Sequence, residues 1–215
     1  MNGIEVLPSA FQPVPYYGHH DHPFFVVEGV SGIGKSTLAA LLARRINGTS
    51  LHTLAPPHSG WSDEAHGMSP LPNLAFYLSG LLHVSDRVRR ALVLGPVIAD
   101  RYAPSVTACQ AAVHGVDTTD VDRLLAPFFT YLVVPTRTFY LRCSEVTLRE
   151  RMAVKDDTKQ DDTDLFGVPG RLKQLMTNFE TVAANDPAAI VLDTDGLTPD
   201  DLADVITARL ENRRA

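Results

Sequence analysis

Phe24-Phe25-Val26-Val27-Glu28-Gly29-Val30-Ser31-Gly32-Ile33-Gly34-Lys35-Ser36-Thr37 is the stretch on which the fold turns. Residues 24–28 form a short apolar run ending on an acid, the pattern of a parallel strand buried on both faces. Gly29 to Ser36 then matches G-x-x-x-x-G-K-[ST], with an additional glycine, Gly32, inside the loop. Lys35 to Ile46 has the apolar spacing of a helix, so strand, glycine loop and helix follow one another directly. Glycines lacking Cβ let backbone N–H groups converge on phosphate oxygens at the positive end of a helix. The motif predicts that Lys35 reaches the β- and γ-phosphates of ATP and that Ser36 places its hydroxyl on Mg²⁺. Gly29, Ser31, Gly32, Ile33, Gly34 and Thr37 complete the predicted phosphate cradle.

Outward from that loop, apolar runs at 50–54, 96–99, 138–141 and 190–192 alternate with helical patterns around 72–94, 104–113, 119–132, 144–154, 169–184 and 199–212. Such alternation predicts an α/β fold with a parallel sheet covered by helices on both faces. Residues 23–215 read as one domain, since 215 residues suffice for a single buried sheet. Residues 1–22, rich in Pro, Gly, Tyr and His without periodicity, read as a flexible arm, and His19, His20 and His22 there as solvated side chains. The strongly charged stretch 156–164 reads as a mobile surface loop.

A formal net charge of -6 offers no basic excess for a nucleic-acid backbone, so no nucleic-acid partner is expected. The two cysteines, Cys109 and Cys143, lack metal-ligand spacing and suit a reducing compartment. No run approaches the ~18 apolar residues needed to cross a bilayer, and no basic start leads an apolar segment. A cytoplasmic protein without a membrane partner is the expectation. Thr158-Lys159-Gln160-Asp161 formally matches a GTPase base-reading motif, but the residues before it are too polar to be a buried strand, and a GTPase reading is rejected.

A second constellation lies at Val97-Ile98-Ala99-Asp100-Arg101-Tyr102. It puts a carboxylate and a guanidinium at the C-terminal end of a strand, where open α/β sheets bind ligands. Asp100 is suited to holding Mg²⁺ or orienting an acceptor, and Arg101 to a bidentate contact with an acceptor phosphate.

The run Asp100 to Gln110, DRYAPSVTACQ, resembles the DR[YH]xxSxxAYQ segment of thymidylate kinases, and EGVSGIGKST resembles their EGxDGxGK[ST]T loop. Phe76-Tyr77 is similar to their FYAAR helix. The resemblance runs from about Phe24 to the C-terminus. It implies a nucleoside monophosphate kinase fold with a five-stranded parallel sheet, and transfer of the ATP γ-phosphoryl group to a nucleoside monophosphate. By the same resemblance Arg101 binds the acceptor phosphate, Phe76 lies against its base, and Ser105 and Gln110 line the acceptor pocket, with Glu28 and Gly80 also on the substrate side. Arg151 corresponds to the family position that packs on adenine, and a homodimer is common in the family.

Several positions depart from the family's pattern, and they fall on the acceptor side. Ser31 stands where the loop carries an acid, Gly80 where FYAAR carries its arginine, and Cys109 in place of the tyrosine. Thr53-Leu54-Ala55-Pro56-Pro57-His58 replaces TREPGG, losing its arginine and glutamate. These changes predict an altered acceptor pocket. A polar lid at about 155–167, with Arg149, Arg151, Lys155 and Lys159 nearby, is expected to exclude water and bring cations to the transferring group. Two alternatives stay open from the residues: a kinase for a nucleoside or other small hydroxylated metabolite, and a nucleotide-binding regulator that no longer transfers phosphate.

Overall fold

The structure, a computed structural model, describes residues 7–13, 22–155 and 160–211. Five parallel strands, β1 (Phe24–Glu28), β2 (Thr49–His52), β3 (Val97–Asp100), β4 (Arg137–Arg142) and β5 (Ala189–Asp193), form one sheet in the order β2-β3-β1-β4-β5. The expected five-stranded parallel sheet flanked by helices is therefore the observed architecture. Nine α-helices lie among the described residues: α1 (Lys35–Arg45), α2 (Ser62–His66), α3 (Pro70–Leu92), α4 (Ala103–His114), α5 (Thr118–Leu125), α6 (Glu145–Ala153), α7 (Gln160–Gly167), α8 (Arg171–Asn185) and α9 (Pro199–Glu211).

β1 is buried along its whole length because its side chains alternate between two cores. Phe25 and Val27 join Leu38 and Leu42 of α1, Phe179 of α8 and Ile206 of α9 on one face. Phe24 and Val26 join Leu81, Val84 and Val88 of α3 and Val121 of α5 on the other. α4 serves both cores, with Ala108 and Ala112 in the first and Val106 and Ala111 in the second. The register pairs Val27 of β1 with Asp100 of β3, so the two motifs of the sequence end side by side at the C-terminal edge of the sheet.

The structure differs from the sequence expectations at three places. The helix expected over 119–132 stops at Leu125 and continues as a 3-10 turn over Ala126–Tyr131, because Pro127 cannot donate to the preceding helical turn. The stretch 156–164, expected as a loop, carries the start of α7; its residues 156–159 lie outside the described residues. The short α2 was not foreseen at all. Of the N-terminal arm, residues 7–13 and His22 are described, with a 3-10 turn at Ser9–Phe11 and both Phe11 and His22 exposed, while His19 and His20 lie outside the described residues. Among the described residues no helix is long and apolar enough to cross a membrane.

Candidate active site

The loop between β1 and α1 is shaped by left-handed glycines. Gly29, Gly32 and Gly34 have φ values of 139°, 81° and 104°, which side chains with a Cβ adopt only under strain. Two of the three are also closed to a Cβ by their neighbours: at Gly29 it would stand 2.7 Å from the Leu141 carbonyl oxygen, and at Gly32 2.1 Å from Met152 Sδ. A Cβ on Gly34 would meet nothing within 4 Å, so the loop opens at the start of α1. The Lys35 side chain folds back under the loop, where Nζ donates to the Val30 carbonyl at 2.6 Å. Ser36 and Thr37 face solvent at the helix start. Ile33 is buried among the core side chains, so it presents backbone to the loop.

At the neighbouring strand end, the Ser36 hydroxyl donates to Asp100 Oδ2 at 2.5 Å. The other carboxylate oxygen, Oδ1, is buried with no hydrogen-bond partner. A buried carboxylate oxygen left unmatched is costly in a folded chain unless a ligand completes it. An oxygen-only pair of a hydroxyl and a carboxylate is the donor chemistry that suits Mg²⁺. Ser36 and Asp100 fit the ion, and the glycine cradle with Lys35 fits the phosphates. His52, at the end of β2, adds its Nε2 at 3.9 Å from Asp100 Oδ2.

Arg101 follows Asp100 with φ 71°, the left-handed region that a side chain of this size rarely enters. Its backbone is pinned on both sides: its N–H donates to the Val27 carbonyl at 3.0 Å, and its carbonyl accepts from Thr53 Oγ1 at 2.6 Å. This turn carries the guanidinium across β1, where Nη1 donates to the Gly29 carbonyl at 3.2 Å and to Ser105 Oγ at 2.9 Å. Strain of this kind, held by surrounding bonds, collects at functional sites.

Glu28 lies wholly buried behind Arg101. Its carboxyl accepts from the N–H groups of Tyr102 at 2.7 Å and Ser105 at 3.3 Å and from the Ser105 hydroxyl, tying β1 to the start of α4. Burial pushes the Glu28 carboxyl up to about 7, against the opposing pull of the Ser105 hydroxyl and the Arg101 charge. Burial pushes Lys35 down to about 7, with the Arg101 guanidinium adding to the shift. Acid and ammonium are thus buried at the strand ends, with the half-buried guanidinium beside them.

α6 braces the outer side of the loop. Arg151 Nη1 donates to the Ile33 carbonyl at 3.1 Å and to Thr194 Oγ1 at 2.8 Å, and Nη2 donates to the Thr194 carbonyl at 2.7 Å. A guanidinium held by its edge keeps flat faces for stacking. Arg149 pairs with Glu145 within α6 and lies over the Phe166 ring at 4.9 Å, fastening α7 alongside; Leu165 of α7 enters the core.

Beyond the loop, the segment Thr53 to His58 packs against one stripe of α3. Phe76, Ser79, Gly80 and His83 recur at helical spacing on that stripe. A Cβ on Gly80 would come within 2.8 Å of Leu54 Cδ2, so helix and segment touch where a longer side chain would otherwise stand. His58 lies between Phe76 and His83, with ring centroids 5.8 and 5.5 Å away, and its Nε2 is 3.0 Å from Ser79 Oγ. Gln110 is buried and its amide is engaged: Nε2 donates to Asn73 Oδ1 at 2.8 Å, and Oε1 is 3.2 Å from His114 Nε2. It therefore joins α3 to α4.

The structure brings Glu28, Gly29, Lys35, Ser36, Asp100, Arg101 and Ser105 together at the ends of β1 and β3, with Arg151 on the opposite rim of the loop. Phe76 and Gly80 stand apart from them on α3, facing the 53–58 segment. His52 and the packing of His58 against Ser79 and His83 were not singled out from sequence. Replacement of TREPGG by a segment ending in His58 was the only signal that pointed toward them.

The thymidylate kinase family model matches residues 27–196. A thymidylate kinase from a Synechococcus strain is 28% identical over 192 residues, covering 84% of this chain and 91% of that protein. One from Leifsonia xyli is 32% identical over 142 residues, covering 60% of this chain and 67% of that protein. Among solved structures, thymidylate kinase from Candida albicans superposes with a TM-score of 0.75 at 17% identity, covering 90% of this chain and 92% of that one. A deoxyadenosine kinase from M. mycoides superposes with a TM-score of 0.66 at 18% identity, covering 88% and 99%. At those identities the structural likeness speaks to the fold alone.

Proposed function

The chain belongs to the thymidylate kinase family and is a phosphotransferase of nucleotide kinase type, and we propose that it transfers the γ-phosphoryl group of ATP to a nucleoside monophosphate in an acceptor pocket altered from the family's. The observation that carries this reading is Arg101. A guanidinium brought over the loop by a strained backbone, and held by Gly29 and Ser105, supports a role in binding a phosphate on the acceptor side. ATP binding alone has no need of it.

In the proposed reaction a phosphate oxygen of the acceptor attacks the γ-phosphorus, and the bond from phosphorus to the β–γ bridging oxygen breaks to leave ADP. Positioning and charge stabilisation do most of the work in such transfers. The glycine cradle and Lys35 grip the donor phosphates, and Arg101 holds the acceptor phosphate in line. Ser36 and Asp100 would hold Mg²⁺, which supplies charge neutralisation between the donor phosphates. Arg151, fixed at its edge by Thr194, offers a face to adenine. Phe76 offers a face to the acceptor base. Glu28 and Ser105 set Arg101 from behind, and Gln110 keeps α3 and α4 in register.

The lid role expected for about 155–167 falls in this reading to α7, whose Asp164 stands 3.8 Å from His66 of α2. A cytoplasmic homodimer is part of the same proposal. The test is turnover of monophosphates against the matching nucleosides with Mg²⁺-ATP. A monophosphate preference supports the reading, and turnover of the nucleoside alone replaces it with the nucleoside-kinase alternative.

A further inference from the structure

Resting on the proposed reaction, the geometry points to Ser79, backed by His58, as a reversible reader of the acceptor base that takes keto and amino edges alike. Three observations carry it. First, residue 80 is a glycine packed beside Leu54, so no guanidinium from that position of α3 reaches the base wall. A guanidinium offers donors only and therefore selects a carbonyl. Its replacement by hydroxyl and imidazole changes the kind of discrimination available.

Second, Ser79 is exposed on the same α3 stripe as Phe76, and its hydroxyl is 3.0 Å from His58 Nε2. A base lying against Phe76 would have its polar edge near that hydroxyl. Third, His58 Nδ1 is buried and has no hydrogen-bond partner, so no hydrogen bond at that nitrogen fixes the tautomer. Burial and the neighbouring His83 hold the His58 ring below its ordinary range, which keeps it neutral near pH 7.

A neutral, unpinned imidazole can use Nε2 as donor or as acceptor. With the proton on Nε2, the imidazole donates to Ser79 Oγ and the serine O–H is free to donate to a base carbonyl. With the proton on Nδ1, the serine O–H donates to Nε2, and a serine lone pair accepts from a base amino group. Both states preserve the His58–Ser79 bond. The reader pays no lost hydrogen bond for either base, whereas a fixed donor facing an amino group would leave both unmatched.

The experiment compares dUMP with dCMP, which differ in the group at position 4 of the ring, in turnover with Mg²⁺-ATP and in direct calorimetric binding. The wild-type protein is expected to use and bind the two within about tenfold of each other. Ser79→Ala, at an exposed position, is expected to weaken both by tenfold or more. His58→Lys, a permanent donor to Ser79 Oγ, is expected to shift the ratio at least tenfold toward dUMP, in a variant whose circular dichroism matches wild type. A wild-type preference above a hundredfold for either nucleotide, or an unchanged binding of both in Ser79→Ala, overturns the reader while leaving monophosphate transfer standing. Equal use of deoxyuridine and deoxycytidine with neither monophosphate accepted overturns monophosphate transfer and leaves the reader standing. Absence of binding by every one of these compounds overturns both.

Discussion

The Ser36 hydroxyl donates to Asp100 Oδ2 at 2.5 Å, joining the first turn of α1 to the C-terminal end of β3. The bond spans 64 residues of sequence and makes the loop and the strand end one unit, with Asp100 Oδ1 buried and without a hydrogen-bond partner. Ser36→Ala is expected to lower kcat about a hundredfold, as loss of one preorganised charge-stabilising group does. Asp100→Asn is expected to raise the Mg²⁺ concentration needed for half-maximal activity, since an amide is a weaker ligand for a hard cation. A magnesium titration of initial rates, beside thermal unfolding without nucleotide, separates the effect on the ion from one on the fold.

Arg101 at φ 71° lets the backbone's effect on stability be separated from the side chain's effect on function. Arg101→Gly and Arg101→Ala both remove the guanidinium, but only glycine accepts the left-handed backbone freely. The glycine variant is expected to be more stable than the alanine variant by about 1 kcal/mol. Both should raise the KM for a monophosphate about 10- to 100-fold, the scale of a charge-assisted bond, with a much smaller effect on the KM for ATP. Urea unfolding and steady-state kinetics on the pair check the two halves independently.

Gly32 carries two constraints, a φ of 81° and Met152 Sδ 2.1 Å from where a Cβ would stand. Gly32→Ala is expected to cost about 1–3 kcal/mol and to weaken ATP binding. Met152→Ala in the same chain should recover the part due to collision and not the part due to φ. A double-mutant cycle measures that coupling.

How far the sequence revealed this site follows from the range of the interactions involved. β1, the glycine loop and α1 were readable because each rests on local pattern: Phe24 to Val27 apolar throughout, glycines at the turn, Lys35 at the helix start. Asp100 and Arg101 were readable because a strand end before a polar pair is also local. The extent of α5 was missed at Pro127, where propensity gave way to a missing N–H. α7 was missed because its anchors, Leu165 in the core and Phe166 under Arg149, act through tertiary contacts on a polar background. The closure of Gly80 against Leu54 and the His58–Ser79 pair could not be read from spacing, since they depend on which face of α3 meets the 53–58 segment. Glu28 and Gln110 were placed among substrate residues by resemblance. Their hydrogen bonds show what each holds: the start of α4 for Glu28, and the α3–α4 junction for Gln110.

The buried acid and ammonium give stability a characteristic dependence on pH. Glu28, raised from 4.5 to about 7, binds more protons in the folded than in the unfolded state between those values. Its contribution is present at pH 4.5 and is lost as the pH rises to 7. Lys35, lowered from 10.5 to about 7, binds fewer protons when folded between 7 and 10.5, so its contribution grows as the pH rises across that window. Together they place the least favourable point near pH 7. Glu28→Gln removes the acid limb, and the stability of this variant relative to wild type is expected to increase from pH 4.5 to 7. Urea unfolding across a pH series checks the sign; a difference that falls or stays flat contradicts it.

The central claim is transfer of a phosphoryl group to a monophosphate, and phosphorus NMR of the complete reaction tests it most directly. The protein is incubated with Mg²⁺-ATP and either dUMP or deoxyuridine, with Lys35→Ala in parallel. ADP and dUDP are expected to appear together at equal rates with dUMP, with no phosphorylation of deoxyuridine and neither product with Lys35→Ala. Phosphorylation of deoxyuridine alone, or undiminished transfer by Lys35→Ala, would contradict it.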